Sequence, residues 1–183
     1  MQTSTCSPQG CPIIISDREN RLELTDFAGG VAFDLNSDGV AEHLSWTSGE
    51  SEAAFLVLER NGNGSIDDGT ELFGNFTDQP ASEVPNGFIA LAVFDDPANG
   101  GNNDGWITAD DAIFTSLQLW ADANHDGISQ PDELTMVSDT PIEGIDLDYH
   151  ESGREDQHGN RFRYTSKVFR KHIPGVPRVT VIV

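Results

Sequence analysis

Positive charge is scarce in this sequence. Its 183 residues hold 10 Lys and Arg against 31 Asp and Glu, a formal net charge of −21. A nucleic-acid duplex is a dense line of negative charge, so this balance excludes DNA or RNA as a partner. It argues equally against an anionic membrane surface. No run reaches the roughly 18 apolar residues of a membrane span, so no insertion is expected. Cysteine is nearly absent, with only Cys6 and Cys11. That count rules out a disulfide framework and leaves one local disulfide or a pair of free thiols. CxxC spacing is missing, which argues against a thiolate zinc site. The first residues have neither a basic n-region nor an apolar h-region, so no signal peptide is expected in this chain. HExxH, GxSxG and P-loop patterns are missing too, and His43, His125, His150, His158 and His172 form no HxH pair.

What is abundant is acid, and it is clustered with Asn and Gly. Four segments are variations on D-x-[DN]-x-[DN]-G, the opening of an EF-hand-type calcium loop. The spacing has a physical reason. A hard divalent ion of calcium's size takes about 6–8 oxygens at roughly 2.3–2.6 Å. Side chains at loop positions 1, 3 and 5 converge on one point, position 7 adds a backbone carbonyl, and an acid at position 12 closes the shell. Gly at position 6 permits a turn through positive φ.

The fourth loop fits the pattern without a gap: Asp122, Asn124 and Asp126, Gly127, the Ile128 carbonyl, Gln130 at position 9 and Glu133 at position 12. The third fits from Asn102 onward, with Asp104, Gly105, the Trp106 carbonyl, Thr108 and Asp111; Asp95 is its position 1 across a bulged insertion. The second departs twice. Glu59 stands in place of Asp, followed by Asn61, Asn63, Gly64, the Ser65 carbonyl and Asp67, and the closing Glu71 falls one place late. The first has Asp34, Asn36, Asp38, Gly39, the Val40 carbonyl and Glu42, but Ser45 at position 12, and a metal-free β-turn is its rival reading. Ser129 with Asp132, and Thr108 with Asp111, read as capping boxes opening exit helices.

Apolar patterning predicts strands over 12–15, 21–24, 30–33, 44–46 and 54–58, and a loop over 75–86. A helix is predicted over 87–94, entering the third loop. Exit helices are predicted over 109–117, with Ala112, Ile113 and Leu117 on one face, and over 131–136. Residues 142–149 and 161–169 read as a hairpin with Gly159 and Asn160 near its turn, and 178–183 as a last strand. The expected class is α+β: an EF-hand-like calcium-loop helix pair flanked by β-strands and hairpins. The expected organisation is a flexible leader over 1–11 and one calcium-binding domain over 12–183, strand-rich over 12–75, with the helical pair over 86–138 and C-terminal strands over 142–183. Trp120, in an apolar run, is expected in the core. Basic residues concentrate late, at Arg154, Arg161, Arg163, Lys167, Arg170, Lys171 and Arg178. A basic hairpin offsetting the field of the acidic loops is the reading preferred over a nucleic-acid patch.

Three strings carry a resemblance: Phe33 to Glu42, Asn61 to Gly74 with Glu71-Leu72-Phe73-Gly74 at its end, and Leu119 to Gln130. Together they resemble the calcium-binding module of bacterial secreted RTX-type proteins, and the self-processing module of the iron-regulated RTX proteins is similar. The resemblance implies an extracellular or cell-surface protein that folds on calcium. In self-processing relatives an Asp-Pro bond just before the first strand is cleaved, the Asp side chain attacking its own carbonyl. The matching bond here is Cys11-Pro12, which lacks the Asp. An acidic loop frequent in relatives is also missing from Ser16 to Glu23. The one Asp-Pro bond, Asp96-Pro97, lies inside the third loop and reads as an ordinary peptide bond. Cys11 as a nucleophile has no paired base in view, which favours an inert or disulfide-bonded residue.

The expectation is therefore a calcium-binding, calcium-stabilised structural module, monomeric and not an enzyme, with three calcium sites and up to four. Its partner is calcium, with no nucleic acid and no protein partner named. The alternatives are calcium-triggered Asp-Pro autoproteolysis, and a sensor or scavenger of another hard cation such as a lanthanide.

Overall fold

The computed structural model describes residues 10–16, 22, 24–49, 53–171 and 179–182. In chain order the strands are β1 (Ile14–Ser16), β2 (Val31–Phe33), β3 (Glu42–Leu44), β4 (Ala53–Val57), β5 (Trp106–Thr108), β6 (Gln118–Trp120), β7 (Leu134–Met136), β8 (Ile142–Asp146), β9 (His150–Glu155), β10 (Arg161–Arg170) and β11 (Val179–Ile182). The α-helix among the described residues is α1 (Gly87–Ala92). It is opened by Asn86, whose side chain accepts from the Phe88 and Ile89 amides, and it runs into a short 3-10 turn over Val93–Asp95. The helix expected over 87–94 is thus present.

The class is β, not α+β, and there is no EF-hand helix pair among the described residues. Nine strands form one sheet in the order β5-β8-β10-β11-β1-β4-β6-β7, with β9 also on β10; β2 and β3 pair separately. The expected exit helix over 109–117 is a 3-10 turn over Ala112–Thr115 that ends at Ser116. The exit helix expected over 131–136 is a turn followed by β7, which pairs with β6 through Trp120 and Leu134. A helix this short is costly to start, and α1, of the same length, has the Asn86 side chain to cap it. Sheet pairing offers the same backbone groups partners at once. The Thr108–Asp111 box keeps its reciprocal bonds, around a turn rather than a helix, whereas the Ser129 hydroxyl is bonded to Ile66, 63 residues away.

The hairpin expectation holds in extended form. Thr165 pairs with His150 of β9 and Ile182 of β11, and Val168 pairs with Ile145 of β8 and Val179 of β11. β8 and β9 therefore lie end to end along one edge of β10, interrupted at 147–149. The Ser166 hydroxyl donates to the Asp146 carbonyl at that break. The strand expected over 21–24 falls mostly outside the described residues, as do the stretch from Ser16 to Glu23 and most of the 1–11 leader. Cys11 is buried and disulfide-bonded, so it has no free thiol to act as a nucleophile.

The sheet is covered on both faces. Ile13, Ile15, Leu56, Phe73, Phe88, Leu91, Ile107, Leu117 and Val168 form one core. Ile14, Phe33, Trp46, Phe55, Val57, Trp120 and Phe162 form the other. Alternation along β1 and β4 sends successive residues to opposite cores. Phe162 and Tyr164 share parity yet join different cores, because the register shifts between them.

The β9–β10 turn is anchored by Asp156, which accepts from the amides of Leu24 (3.1 Å), His158 (2.9 Å) and Asn160 (3.0 Å) and from the Asn160 side chain. Partial burial works to raise its pKa, but these hydrogen bonds outweigh it and hold the carboxyl below its ordinary value. A depressed folded-state pKa contributes stability that is complete above the ordinary carboxylate range and lost as pH falls through the folded value. Asp156→Ala is expected to cost about 1–2 kcal/mol in chemical denaturation at neutral pH. The deficit should close as the buffer is acidified; a deficit independent of pH would show that the charge is not responsible.

Candidate metal centre

The four acidic loops share one backbone geometry. At position 1, Asp34, Asp95 and Asp122 turn back to accept from the amides of positions 5 and 6: Asp38 and Gly39, Asp104 and Gly105, Asp126 and Gly127. Glu59, one methylene longer, takes Gly62 and Asn63 instead. At position 3, Asn36, Asn61, Asn102 and Asn124 each accept from the amide two residues on. Asp38, Asn63, Asp104 and Asp126 repeat this at position 5, onto Val40, Ser65, Trp106 and Ile128. These are Asx turns in succession. Each loop passes through positive φ twice, at position 4 (Ser37, Gly62, Asn103, His125) and at position 6 (Gly39, Gly64, Gly105, Gly127).

The closing acids complete each loop from a strand or turn rather than a helix. Glu133 accepts from the amides of Ala123 (2.9 Å), Asn124 (3.3 Å) and Gln130 (3.3 Å). Asp111 accepts from Asn102 (3.3 Å) and Thr108 (2.7 Å). Glu71, one place late in sequence, accepts from Arg60 (2.9 Å) and Asp67 (3.0 Å). In the first loop the role falls to Glu42, three places early, which accepts from the Leu35 amide and the Asn36 side chain. Ser45, at position 12 by count, lies beyond the strand that carries Glu42. Carboxylate oxygens of Asp34, Asp38 and Glu42 lie within 4.8 Å of one another. Among the described residues, three acids come together in this way only in the first loop. The insertion in the third loop folds outward as a 3-10 turn over Pro97–Asn99, with the Asp96 side chain accepting from Ala98. Asp95 thereby returns to the loop, and its carbonyl accepts from Asn103 (2.7 Å).

Several of these acids are out of water. Asp111 is 1% exposed, Asp122 3%, Asp95 6% and Glu133 9%. Their hydrogen bonds come from backbone amides and from indoles, and no Lys or Arg among the described residues pairs with them. Trp46 Nε1 donates to Asp122 Oδ2 at 2.8 Å, and Trp120 Nε1 reaches Glu133 Oε2 at 3.4 Å. Both indoles belong to an aromatic cluster with Phe33 and Phe55, ring centroids 4.5–5.8 Å apart. Burial pushes the Glu71 carboxyl above its ordinary value, against the two amides that favour its charge, and neighbouring Asp67 adds to the rise. Sequence reasoning missed the indole partners and Asp68. Burial opposes the Asp68 charge, yet hydrogen bonds from Thr70 and Ser37 hold its carboxyl below its ordinary value. At position 4 of the fourth loop, the His125 ring nitrogens lie 2.9 Å and 2.7 Å from the Thr47 and Gly29 carbonyls and dock the loop against them.

The donor set is all oxygen, which suits a hard cation. One atom carries the fit further. Gln130 Oε1, at position 9 of the fourth loop, is buried without a hydrogen-bond partner, while its amide nitrogen donates to Asp126 Oδ2 at 2.9 Å. A buried acceptor without a donor leaves a lone pair open to an ion or an ordered water. In the basic hairpin, Arg161 pairs with Glu155 at the surface, and Arg154 reaches the Leu22 carbonyl and lies over the Phe162 ring.

A family model described as the SPM domain matches residues 13–173. The chain belongs to the SPM-domain family. Over 135 residues, 73% of this chain, it is 38% identical to the iron-regulated protein FrpA of Neisseria meningitidis serogroup C. It spans 11% of that relative's length. This agrees with the resemblance of the loop strings to a module of iron-regulated proteins. No helix among the described residues of this SPM-domain chain is long and apolar enough to cross a membrane.

Trp46→Phe keeps an aromatic ring in the core but removes the short donor to Asp122, and is expected to cost about 2–4 kcal/mol in chemical denaturation. Trp120→Phe loses a similar volume with a longer hydrogen bond and should cost less. Equal losses would show that the indole–carboxylate bond contributes nothing beyond packing.

Proposed function

We propose that this chain is a calcium-binding module, structural rather than catalytic, whose fold is stabilised by ions in its acidic loops outside the cell. The observation that carries the reading is the set of buried carboxylates, Glu71 in the second loop, two in the third and two in the fourth, the last four with no Lys or Arg partner among the described residues. An ionised carboxylate is strongly disfavoured away from water unless it is paired or coordinates a metal. Asp122, Asn124, Asp126, the Ile128 carbonyl, Gln130 and Glu133 would hold one ion. Asp95, Asn102, Asp104, the Trp106 carbonyl, Thr108 and Asp111 would hold a second, and Glu59, Asn61, Asn63, the Ser65 carbonyl, Asp67 and Glu71 a third. Asp34, Asn36, Asp38, the Val40 carbonyl and Glu42 would form a fourth. The ion supplies local positive charge, and the chain supplies prewound oxygens and water-excluding aromatic walls.

Each site filled at 100 times its Kd adds about 2.7 kcal/mol to folding, and three add about 8. For a chain of this size that corresponds to a rise in Tm of roughly 15–30 °C on moving from EDTA to calcium. Identical melting in the two conditions would sink the proposal, and competition titrations with magnesium and lanthanide ions would assign the preferred cation. Self-cleavage is not part of the reading, because Cys11 stands where the relatives' Asp is expected and is itself disulfide-bonded. Incubated with calcium, the chain should run as one intact band on a denaturing gel. Fragments cut between Asp96 and Pro97 would favour autoproteolysis instead.

A further inference from the structure

The second and fourth loops are joined at a single side chain. Ile66 and Ser129 both occupy position 8 of their loops, and both are buried. The Ser129 hydroxyl accepts from the Ile66 amide at 2.6 Å and donates to the Ile66 carbonyl at 3.2 Å. One hydroxyl thus satisfies both backbone groups of a residue 63 positions away, standing in for a strand bridge. Each end of this clasp is flanked by candidate ligands: the Ser65 carbonyl and Asp67 on one side, the Ile128 carbonyl and Gln130 on the other. The third loop is arranged differently. Its position 8 is Ile107, which pairs with Ile145 of β8, and no hydrogen bond among the described residues joins that loop to another acidic loop.

We propose that the second and fourth loops take up calcium as a coupled pair through the Ser129 hydroxyl, while the third loop fills independently. This rests on the calcium reading above. Ordering either loop fixes its position 8, which fixes the partner's positions 7 and 9 and lessens the entropy lost by the second ion. Such coupling is reciprocal by thermodynamic necessity.

The test is a calcium titration of the full chain followed by amide nuclear magnetic resonance. The Gly127 and Gly105 amides, each bonded to the position-1 carboxylate of its own loop, report the fourth and third loops separately. The second loop is disabled by Asn63→Ala with Asp67→Ala, both at exposed positions. The Gly127 midpoint should then move to higher calcium by at least about fivefold, with the Gly105 midpoint unchanged. In a Ser129→Ala background the same pair of changes should leave the Gly127 midpoint within about twofold. A Gly127 midpoint indifferent to the second loop, or one that shifts equally without the hydroxyl, overturns the coupling. Should Ser129→Ala not fold, Asp126→Ala in the exposed part of the fourth loop must shift the Asn63 amide midpoint by the same factor, and failure of that reciprocity overturns it. Absence of any calcium-dependent shift at Gly127 and Gly105 sinks the calcium reading itself.

Discussion

A carboxylate taken out of water has to be met by donors or by a cation, and this fold is arranged around meeting several at once. The protein side of the answer is backbone amide. Each position-1 acid accepts from amides a few residues ahead, and each closing acid accepts from amides at the loop's start, its far side or both. Bringing so many N–H groups inward forces the chain through positive φ at positions 4 and 6. Position 6 is Gly throughout, where a Cβ is strained. Position 4 is Ser, Gly, Asn and His in turn; the Ser37 hydroxyl donates to Asp68 and the His125 ring docks on the Thr47 and Gly29 carbonyls.

The aromatic core turns these local windings into a fixed arrangement. Phe33 immediately precedes Asp34, Trp120 stands two residues before Asp122, and Phe55 lies on the strand leading to Glu59. Their rings pack with Trp46, whose indole N–H is itself spent on Asp122. The loops of the first, second and fourth sites therefore hang from one packed cluster. The Asp34 carbonyl accepts from Gly69, and Ser37 bonds Asp68, so the first and second loops also share backbone. The third loop hangs from the opposite core, through Ile107 and β5. Burial of large side chains, each contributing about 1.5–3 kcal/mol, opposes the repulsion of the gathered acids.

The net charge of −21 takes on a definite distribution in this light. Much of the acid is wound into loops with hydrogen-bonded oxygens, while Arg154 and Arg161 are engaged within the hairpin and its neighbours. Arg154 and Asp156 tie that hairpin to residues 22 and 24. The SPM-domain match extends over residues 13–173, the loops and the hairpin alike.

What the sequence determined by itself was local. Asp, Asn and Gly at fixed spacing wind the same way wherever they occur, because Asx turns and positive φ are properties of a few neighbouring residues. The loop oxygens, the departures at Glu59 and Glu71, the short helix after Asn86 and the long hairpin were all legible on that basis. The segments leaving the third and fourth loops were not. Their apolar spacing suits a helix, but the first makes a 3-10 turn over Ala112–Thr115 before β6, and the second pairs with β6 as β7. Tertiary structure alone decided the same kind of question elsewhere. Glu42 closes the first loop because β3 carries it there, Trp46 reaches Asp122 across 76 residues, and Ser129 serves Ile66 instead of a helix end. Contacts between residues so far apart depend on which surfaces pack, and packing is settled by the whole chain rather than by any segment of it.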